Sequence, residues 1–201
     1  MNFFELPEGD PEPDIAHVKK ISIQLEAITG KDGATAPVVQ ALQFVPRYYD
    51  DGEDGAGANV GASPEAIQAA ISGFIGRNPP AVEPVDGPLD FGLVYKCYVV
   101  IRLEGEFWEF AREDAVTTKQ QHANARYYNL RTHSRHGDDR ISAVSFCART
   151  PLRLWDASGI GVKHGFNLHV DFVERARDGT VIRRLPVIID PDVENRGNGG
   201  R

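Results

Sequence analysis

The stretch from Gly165 to Asp190 constrains the fold more than any other, because its pattern predicts one long β-hairpin. Apolar and polar residues alternate strictly along its first half, which is the signature of a strand with one buried face. The dipeptide Asp178-Gly179 follows, and both residues tolerate the positive φ angles of a tight turn. The two predicted apolar faces are Phe166, Leu168, Val170 and Phe172 on the first strand and Leu185, Val187 and Ile189 on the second.

The length of the turn decides which residues face each other across the hairpin. A two-residue loop pairs Phe172 with Leu185, whereas a four-residue loop pairs Asp171 with Arg184. Both registers keep the apolar faces together, but a three-residue loop would set Phe172 against Arg184 and is rejected. Pro186 has no N–H to donate, which predicts that the returning strand is an edge or carries a bulge.

Shorter apolar patterns along the rest of the chain predict further strands. One helix is predicted over residues 63–76, since Ser63 can cap it and Pro64 suits its first turn. The chain does not alternate strands with long helices, which argues against a parallel α/β sheet. The fold class is therefore all-β, an antiparallel β-sandwich or open barrel of about seven or eight strands with one short helix. The additional strands are expected near residues 18–27, 38–45, 93–103, 107–111 and 141–149.

The domain organisation follows from length and from the composition of the two ends. A chain of 201 residues, 41% of them hydrophobic, can bury one core of substantial size. Residues 1–14 are acidic and rich in proline, which predicts an N-terminal arm. Residues 191–201 are polar and rich in glycine, which predicts a flexible C-terminal tail. Residues 15–190 form the predicted single β domain.

Charge and cysteine content restrict the class of partner and the compartment. The formal net charge of −7 argues against nucleic acid, whose phosphates require a basic surface. Cys97 and Cys147 both lie in apolar strand patterns, which favours two reduced core residues over the alternative of a disulfide. The first residues lack the pattern of a signal peptide, and no stretch has the length of a membrane span. The predicted location is the cytoplasm, without a membrane partner.

One cluster of potential metal ligands lies within the hairpin. His169 and Asp171 share a strand face and are separated by about 7 Å along the strand, so both could bind one ion if a third group converged on it. His164 and Glu174 complete the candidate set. The segment resembles the first metal-binding motif of cupins, although Asp171 stands where that motif has its second histidine. The resemblance implies a metal-dependent β-barrel enzyme with a divalent cation; otherwise no cofactor is predicted.

Two charged segments are candidate binding surfaces. The plainest interpretation of each is a hydrated surface loop, and the alternative is recognition of a partner, because arginine and tyrosine are enriched at interfaces. The opposite charges of the two segments would allow copies of the chain to associate head to tail. The candidate binding residues are Arg126, Tyr127, Tyr128, Arg131, Arg135 and Arg140 in the basic segment and Asp50, Asp51, Glu53 and Asp54 in the acidic one.

Short catalytic motifs are absent from the sequence. It contains no Gly-x-Ser-x-Gly, no Walker-type lysine loop and no Gly-x-Gly-x-x-Gly. The predicted function is therefore a non-enzymatic binding or self-assembling β-sandwich, whose partner is itself or another protein and which uses the charged loops and the edge hairpin. The alternatives are the cupin-like metal enzyme centred on His169 and Asp171, and a binder of small ligands or carbohydrates that stack on Trp108, Trp155 or the tyrosine pairs.

Overall fold

The computed structural model describes residues 4–5, 15–28, 43–50, 58–77, 85–86, 91–93, 96–105, 107–119, 127–135, 139–148, 163–190 and 192–195. These residues form one helix and fourteen strands, with seven strands in each of two sheets that pack face to face. The first half of the chain contributes β1 (Phe4–Glu5), β2 (His17–Ile28), β3 (Gln43–Asp50), β4 (Ala58–Asn59), α1 (Pro64–Gly76), β5 (Val85–Asp86) and β6 (Phe91–Leu93). The second half contributes β7 (Cys97–Glu104), β8 (Trp108–Phe110), β9 (Val116–Thr118), β10 (Tyr127–His133), β11 (Ala143–Ala148), β12 (Lys163–Arg175), β13 (Val181–Ile189) and β14 (Asp192–Asn195).

Strand β12, the first strand of the predicted hairpin, is the centre of the first sheet. It pairs with β9 over residues 166–168 and with β8 over residues 170–172, and it pairs with β14 over residues 163–165 and with β13 over residues 168–175. The side chains of its apolar face meet those of the other sheet in one continuous core. The sequence prediction of an all-β sandwich with one short helix is confirmed.

The register of the hairpin is the one that the two-residue loop requires. Phe172 lies opposite Leu185, and Glu174 lies opposite Arg183, with which it forms an ion pair of 2.9 Å. The loop itself contains three residues, since the Ala176 N–H donates to the Thr180 carbonyl. A register shift next to Glu174 then restores the pairing of Phe172 with Leu185. The rejection of a three-residue loop was therefore wrong, although the register of the two-residue loop is observed. Among the described residues β13 pairs with β12 alone, which agrees with an edge strand at Pro186.

The second sheet has the order β10-β11-β7-β2-β3-β5, with β4 paired to β2. Its two central strands, β2 and β7, run parallel over eight residue pairs, and β14 and β6 in the first sheet are also parallel. The expectation of purely antiparallel sheets is thus corrected. The reason is that the chain between β2 and β7 includes α1, and a connection of that length can bring a strand back in the same direction.

Helix α1 covers the outer face of this second sheet. The Ser63 hydroxyl accepts the Ala66 N–H at 3.1 Å, which caps the helix where the sequence predicted. The buried stripe of the helix packs on Val18, Tyr98 and Val100. Ser22 lies on the same face and is 1% exposed, and its hydroxyl accepts a hydrogen bond from Arg102 Nη2. The stripe consists of Ile67, Ile71, Phe74 and Ile75.

The remaining predictions divide between the described residues and those outside them. Cys97 and Cys147 are free and buried, as predicted, and belong to the clusters on opposite faces of the second sheet. Residues 4–5 within the predicted arm pair with β9, and residues 192–195 within the predicted tail pair with β12 and β6. The division into domains stays a prediction. No helix in the described part of the chain is long and apolar enough to cross a membrane.

Candidate functional site

The alternation of inward and outward side chains along β10 shifts by one position at Asn129. Tyr127 and Leu130 both pack in the core between the sheets, although three positions separate them. The shift occurs because Asn129 adopts a left-handed conformation with φ of 63° and the register with β11 changes between Tyr128 and Arg131. Without this bulge, strict alternation from Tyr127 would direct Arg131 into the core. The bulge therefore brings the polar end of β10 to the outer face of the sheet.

The outer face of β10 and β11 holds a histidine–serine pair. His133 Nε2 lies 2.7 Å from Ser145 Oγ, and Ser145 is 2% exposed. Burial lowers the pKa of His133 below its ordinary value, and the neighbouring Arg131 charge lowers that pKa further. The ring is consequently neutral at pH 7. Arg131 lies directly opposite Ser145 in the register and is exposed.

A buried ion pair anchors the end of α1 beside this histidine. Arg102 donates to Glu104 Oε1 at 2.6 Å, to the Phe74 carbonyl at 2.5 Å and to the Arg77 carbonyl at 2.8 Å. Its guanidinium also stacks 4.7 Å above the Phe74 ring. The last carbonyls of a helix lack partners within the helix and carry partial negative charge, so a guanidinium stabilises them. The anchor fixes α1 relative to β7.

Arg135 provides a second cation at the same place. Its Nη2 donates to the Arg77 carbonyl at 2.7 Å, and its Nη1 lies 3.6 Å from Glu104 Oε2. Its backbone N–H donates to Ser142 Oγ at 2.8 Å. Glu104 is therefore held between two guanidinium groups. Arg102, Glu104 and Arg135, together with Arg131 and His133, form one corner of the molecule. This corner carries more positive than negative charge.

A second histidine–hydroxyl pair occupies the outer face of the first sheet. His169 Nε2 lies 2.8 Å from Thr117 Oγ1, and the strand backbones fix the pair because the His169 N–H donates to the Ala115 carbonyl at 3.0 Å. Burial lowers the pKa of His169, while the Asp114 carboxylate acts in the opposite direction. The surroundings of this ring are thus acidic rather than basic.

A carboxylate held by two arginines lies next to this second pair as well. Glu109 is 3% exposed and contacts Arg184, and Arg175 Nη2 lies 3.2 Å from Glu109 Oε2. Arg184 also donates to Asp171 Oδ2 at 2.8 Å. The Asp171 side chain, which the sequence offered as a metal ligand, is thus in an ion pair across the hairpin. These hydrogen bonds raise the pKa of Arg184.

The structure does not bring together the three predicted metal ligands whose side chains it describes. His169 and Asp171 occupy odd positions of β12, whereas Glu174 occupies an even position close to its end. Alternation places even and odd positions on opposite faces, and Glu174 is paired with Arg183. The placement of the His164 side chain lies outside the described residues. Within the described residues no group of three or more His, Cys, Asp or Glu side chains could hold a metal ion.

The predicted basic segment is only partly a loop. Residues 127–133 form the edge strand β10, because the bulge hides the period of two that would have identified it. Tyr127 is 3% exposed and packs against Phe146 and Phe166, so its ring belongs to the core. Arg131 is exposed and Arg135 and Arg140 are partly so. The placement of Arg126, Asp51, Glu53 and Asp54, and of the side chain of Asp50, lies outside the described residues.

Sequence reasoning missed three residues of this corner. Arg102 carried a usable signal, since a single arginine inside the apolar run of 97–103 requires a buried partner. Ser145 carried no local signal, because its partner His133 belongs to another strand. Asn129 carried a weak signal, as asparagine tolerates positive φ better than most residues.

The fold and this corner define an all-β sandwich protein with a neutral histidine and a group of arginines beside the end of its helix. Comparison with family models identifies the family of the chain. The chain belongs to the family described as predicted novel nucleotide synthetase, whose model matches residues 28–198. No match was found among curated proteins.

The family corrects the functional prediction made from the sequence. A non-enzymatic binding or self-assembling protein was expected, and the family is described as a synthetase, which is an enzyme. The prediction relied on the absence of short catalytic motifs, but neighbouring side chains in a sandwich come from strands that are distant in sequence. His133 and Ser145 are an example. Neither the cupin-like metal enzyme nor the carbohydrate binder is the function that the family description gives.

Proposed function

We propose that this chain is an enzyme that synthesises a nucleotide from nucleoside phosphates. The observation that carries the proposal is the family match, which spans residues 28–198 and thus most of both sheets. A nucleotide synthetase must bind phosphate groups, and a chain with a net charge of −7 can do so only where cations are concentrated.

The outer face of β10 is the place in the described residues that best meets this requirement. Arg131 is exposed there, and Arg135 lies on the adjoining segment with part of its side chain accessible. Guanidinium groups bind phosphate oxygens in pairs, and they keep their charge at every physiological pH. The neutral His133 ring lies beside them and can exchange or share a proton with a bound substrate.

The surrounding structure keeps this face in a fixed position. Arg102 and Glu104 fix the end of α1, and the bulge at Asn129 fixes the direction of Arg131. A rigid support matters because a catalytic group that is displaced by about 1 Å can lose a large part of its effect. We therefore assign the substrate phosphates to this face.

The location of the enzyme is part of the proposal. Two free, buried cysteines agree with a reducing compartment, and nucleoside triphosphates are abundant in the cytoplasm. We keep the cytoplasm as the proposed location. Association with another protein or with a second copy stays a prediction.

A product assay tests the proposed function. The purified full chain is incubated with the four ribonucleoside triphosphates and Mg²⁺, and the products are separated and weighed by liquid chromatography and mass spectrometry. We expect a nucleotide that forms only with the protein. Arg131→Gln should lower the rate about tenfold or more, since one lost charged contact is worth about 1.4 kcal/mol or more.

The matched control removes the same charge elsewhere. Arg183→Gln neutralises a half-exposed arginine on β13, in the other sheet, and should leave the rate unchanged. Absence of any nucleotide product from single and mixed nucleoside triphosphates, with a folded protein, would contradict the proposal.

A further inference from the structure

The pairing of His133 with Ser145 determines which ring nitrogen carries the proton. Ser145 Oγ is buried, and among the described residues His133 Nε2 is its hydrogen-bond partner. A buried hydroxyl that does not donate its proton loses a hydrogen bond, which is unfavourable. Donation to Nε2 requires that nitrogen to be unprotonated, so the neutral ring carries its proton on Nδ1. Ser145 thereby acts as a positioning residue for the tautomer.

The Nδ1–H group of His133 is then a donor on a partly exposed ring. Among the described residues it has no hydrogen-bond partner, so it can donate to a ligand. Arg131 shares this face two positions away, at about 7 Å along the strand. The spacing allows one phosphate group to contact both side chains.

We propose that His133 Nδ1–H and the Arg131 guanidinium together bind a phosphate group of a nucleoside triphosphate, with Ser145 fixing the histidine tautomer. This inference rests on the proposed function for the identity of the ligand and goes beyond it by naming the atoms that bind. The pair offers a positive charge on Arg131 and an N–H donor on His133 but no negative charge, so the site favours an anion.

The charges around the pair favour an anion as well. Two guanidinium groups, those of Arg102 and Arg135, flank the carboxylate of Glu104, and the Arg131 guanidinium lies beside His133. Arg102 and Arg135 are already bound to Glu104 and to carbonyls of α1, which leaves Arg131 as the exposed cation of the group.

Inorganic tripolyphosphate provides a probe that does not depend on catalysis. It is titrated into the full-length wild-type protein, and the ring resonances of His133 are followed by ¹⁵N NMR, with affinity measured by calorimetry. In the free protein we expect the chemical shifts of a neutral ring protonated at Nδ1. Addition of tripolyphosphate should shift the Nδ1 resonance more than that of any other histidine.

Four variants separate the roles of the side chains. Arg131→Gln should weaken tripolyphosphate binding about tenfold or more, because one charged contact is lost, whereas Arg183→Gln should leave binding unchanged. Ser145→Ala should weaken binding by a smaller factor and change the His133 ¹⁵N shifts towards a mixture of tautomers. Ser145→Thr, which retains the hydroxyl, should keep the Nδ1–H tautomer. A ring protonated at Nε2 in the wild type would overturn the inference, and so would equal affinities of the Arg131 and Arg183 variants.

Failure of this inference can be told apart from failure of the proposed function. If tripolyphosphate shifts His133 but no nucleotide product forms, the phosphate site stands and the proposed synthesis is wrong. If a nucleotide product forms while tripolyphosphate and the nucleoside triphosphates leave His133 unchanged, the enzyme stands and this phosphate site is wrong.

Discussion

The two outer faces of the sandwich carry the same kind of polar arrangement in opposite electrostatic surroundings. Each has a histidine Nε2 within 2.8 Å of a hydroxyl oxygen, His133 with Ser145 on one face and His169 with Thr117 on the other. Each also has a buried glutamate held by two arginines. The neighbouring charge differs, because Arg131 lies beside His133 and Asp114 lies beside His169.

This difference shows why a histidine–hydroxyl pair alone does not define a site. Both rings are neutral at pH 7 because burial lowers their pKa values. The exposed arginine next to His133 favours an anionic ligand, whereas the carboxylate next to His169 disfavours one. The family's description as a nucleotide synthetase therefore directs attention to the face of β10.

The two glutamates also differ in how far their arginines are removed from water. The Arg102 side chain is 1% exposed, whereas those of Arg175 and Arg184 are 30% and 33% exposed. Water and salt weaken an exposed ion pair, and they do so much less for a buried one. The comparison therefore predicts unequal effects on stability.

Loss of Arg102 should have the largest effect. Arg102→Met keeps the length of the side chain but leaves Glu104 buried with Arg135 at 3.6 Å as its remaining cation. We expect the free energy of unfolding to fall by about 3–5 kcal/mol, as for other broken buried pairs. Denaturant unfolding measures this value. Arg102→Met combined with Glu104→Leu should recover much of the loss, and a double variant as unstable as the single one would contradict the role of the pair.

Loss of Arg184 should have a smaller effect on the other face. Arg184→Met removes contacts to Glu109 and Asp171, but Arg175 still holds Glu109, and water reaches the site. We expect a decrease of about 1–2 kcal/mol in the free energy of unfolding, measured in the same way. A loss equal to that of Arg102→Met would remove the distinction between the two faces.

The smallest effect concerns pH. Both histidines have folded-state pKa values below the ordinary value of 6.5, so the unfolded chain binds more protons than the folded one just below pH 6.5. The contribution of these histidines to the free energy of unfolding is therefore fully present above pH 6.5, and it decreases as the pH falls through that value towards the folded pKa values. His133→Gln and His169→Gln should each flatten this decrease in unfolding experiments between pH 7.5 and about 5.

The size of the flattening compares the two surroundings. Burial and Arg131 both lower the pKa of His133, whereas Asp114 partly offsets burial at His169. We therefore expect the larger change of slope from His133→Gln. A larger change from His169→Gln would show that the charges around the two rings have been compared wrongly.

Local patterns in the sequence predicted the parts of the fold that depend on neighbouring residues. The register of Phe172 with Leu185 is one of the two that alternation around Asp178-Gly179 allowed, and the start of α1 follows from Ser63 and Pro64. The parallel pairing of β2 with β7 could not be predicted in this way, because it depends on which distant strands become neighbours. The three-residue loop was missed because a register shift next to Glu174 compensates for it.

The candidate site was predictable only in part for the same reason. Arg131 and Arg135 were selected from the local concentration of basic residues, and the metal ligands were selected from their proximity in sequence. Proximity along β12 was misleading, since Glu174 occupies a position of opposite parity to His169 and pairs with Arg183. The pairing of His133 with Ser145 requires the order of strands β10 and β11, which no pattern within either strand contains.

The bulge at Asn129 has a consequence for how relatives of this chain should be aligned. A gap of one position here would exchange the inward and outward sets of side chains from Leu130 to His133, so that an arginine would replace a leucine between the sheets. Identical letters on either side of such a gap would then describe opposite surfaces. In this family an insertion or deletion at this point should be weighed more heavily than most changes of residue type.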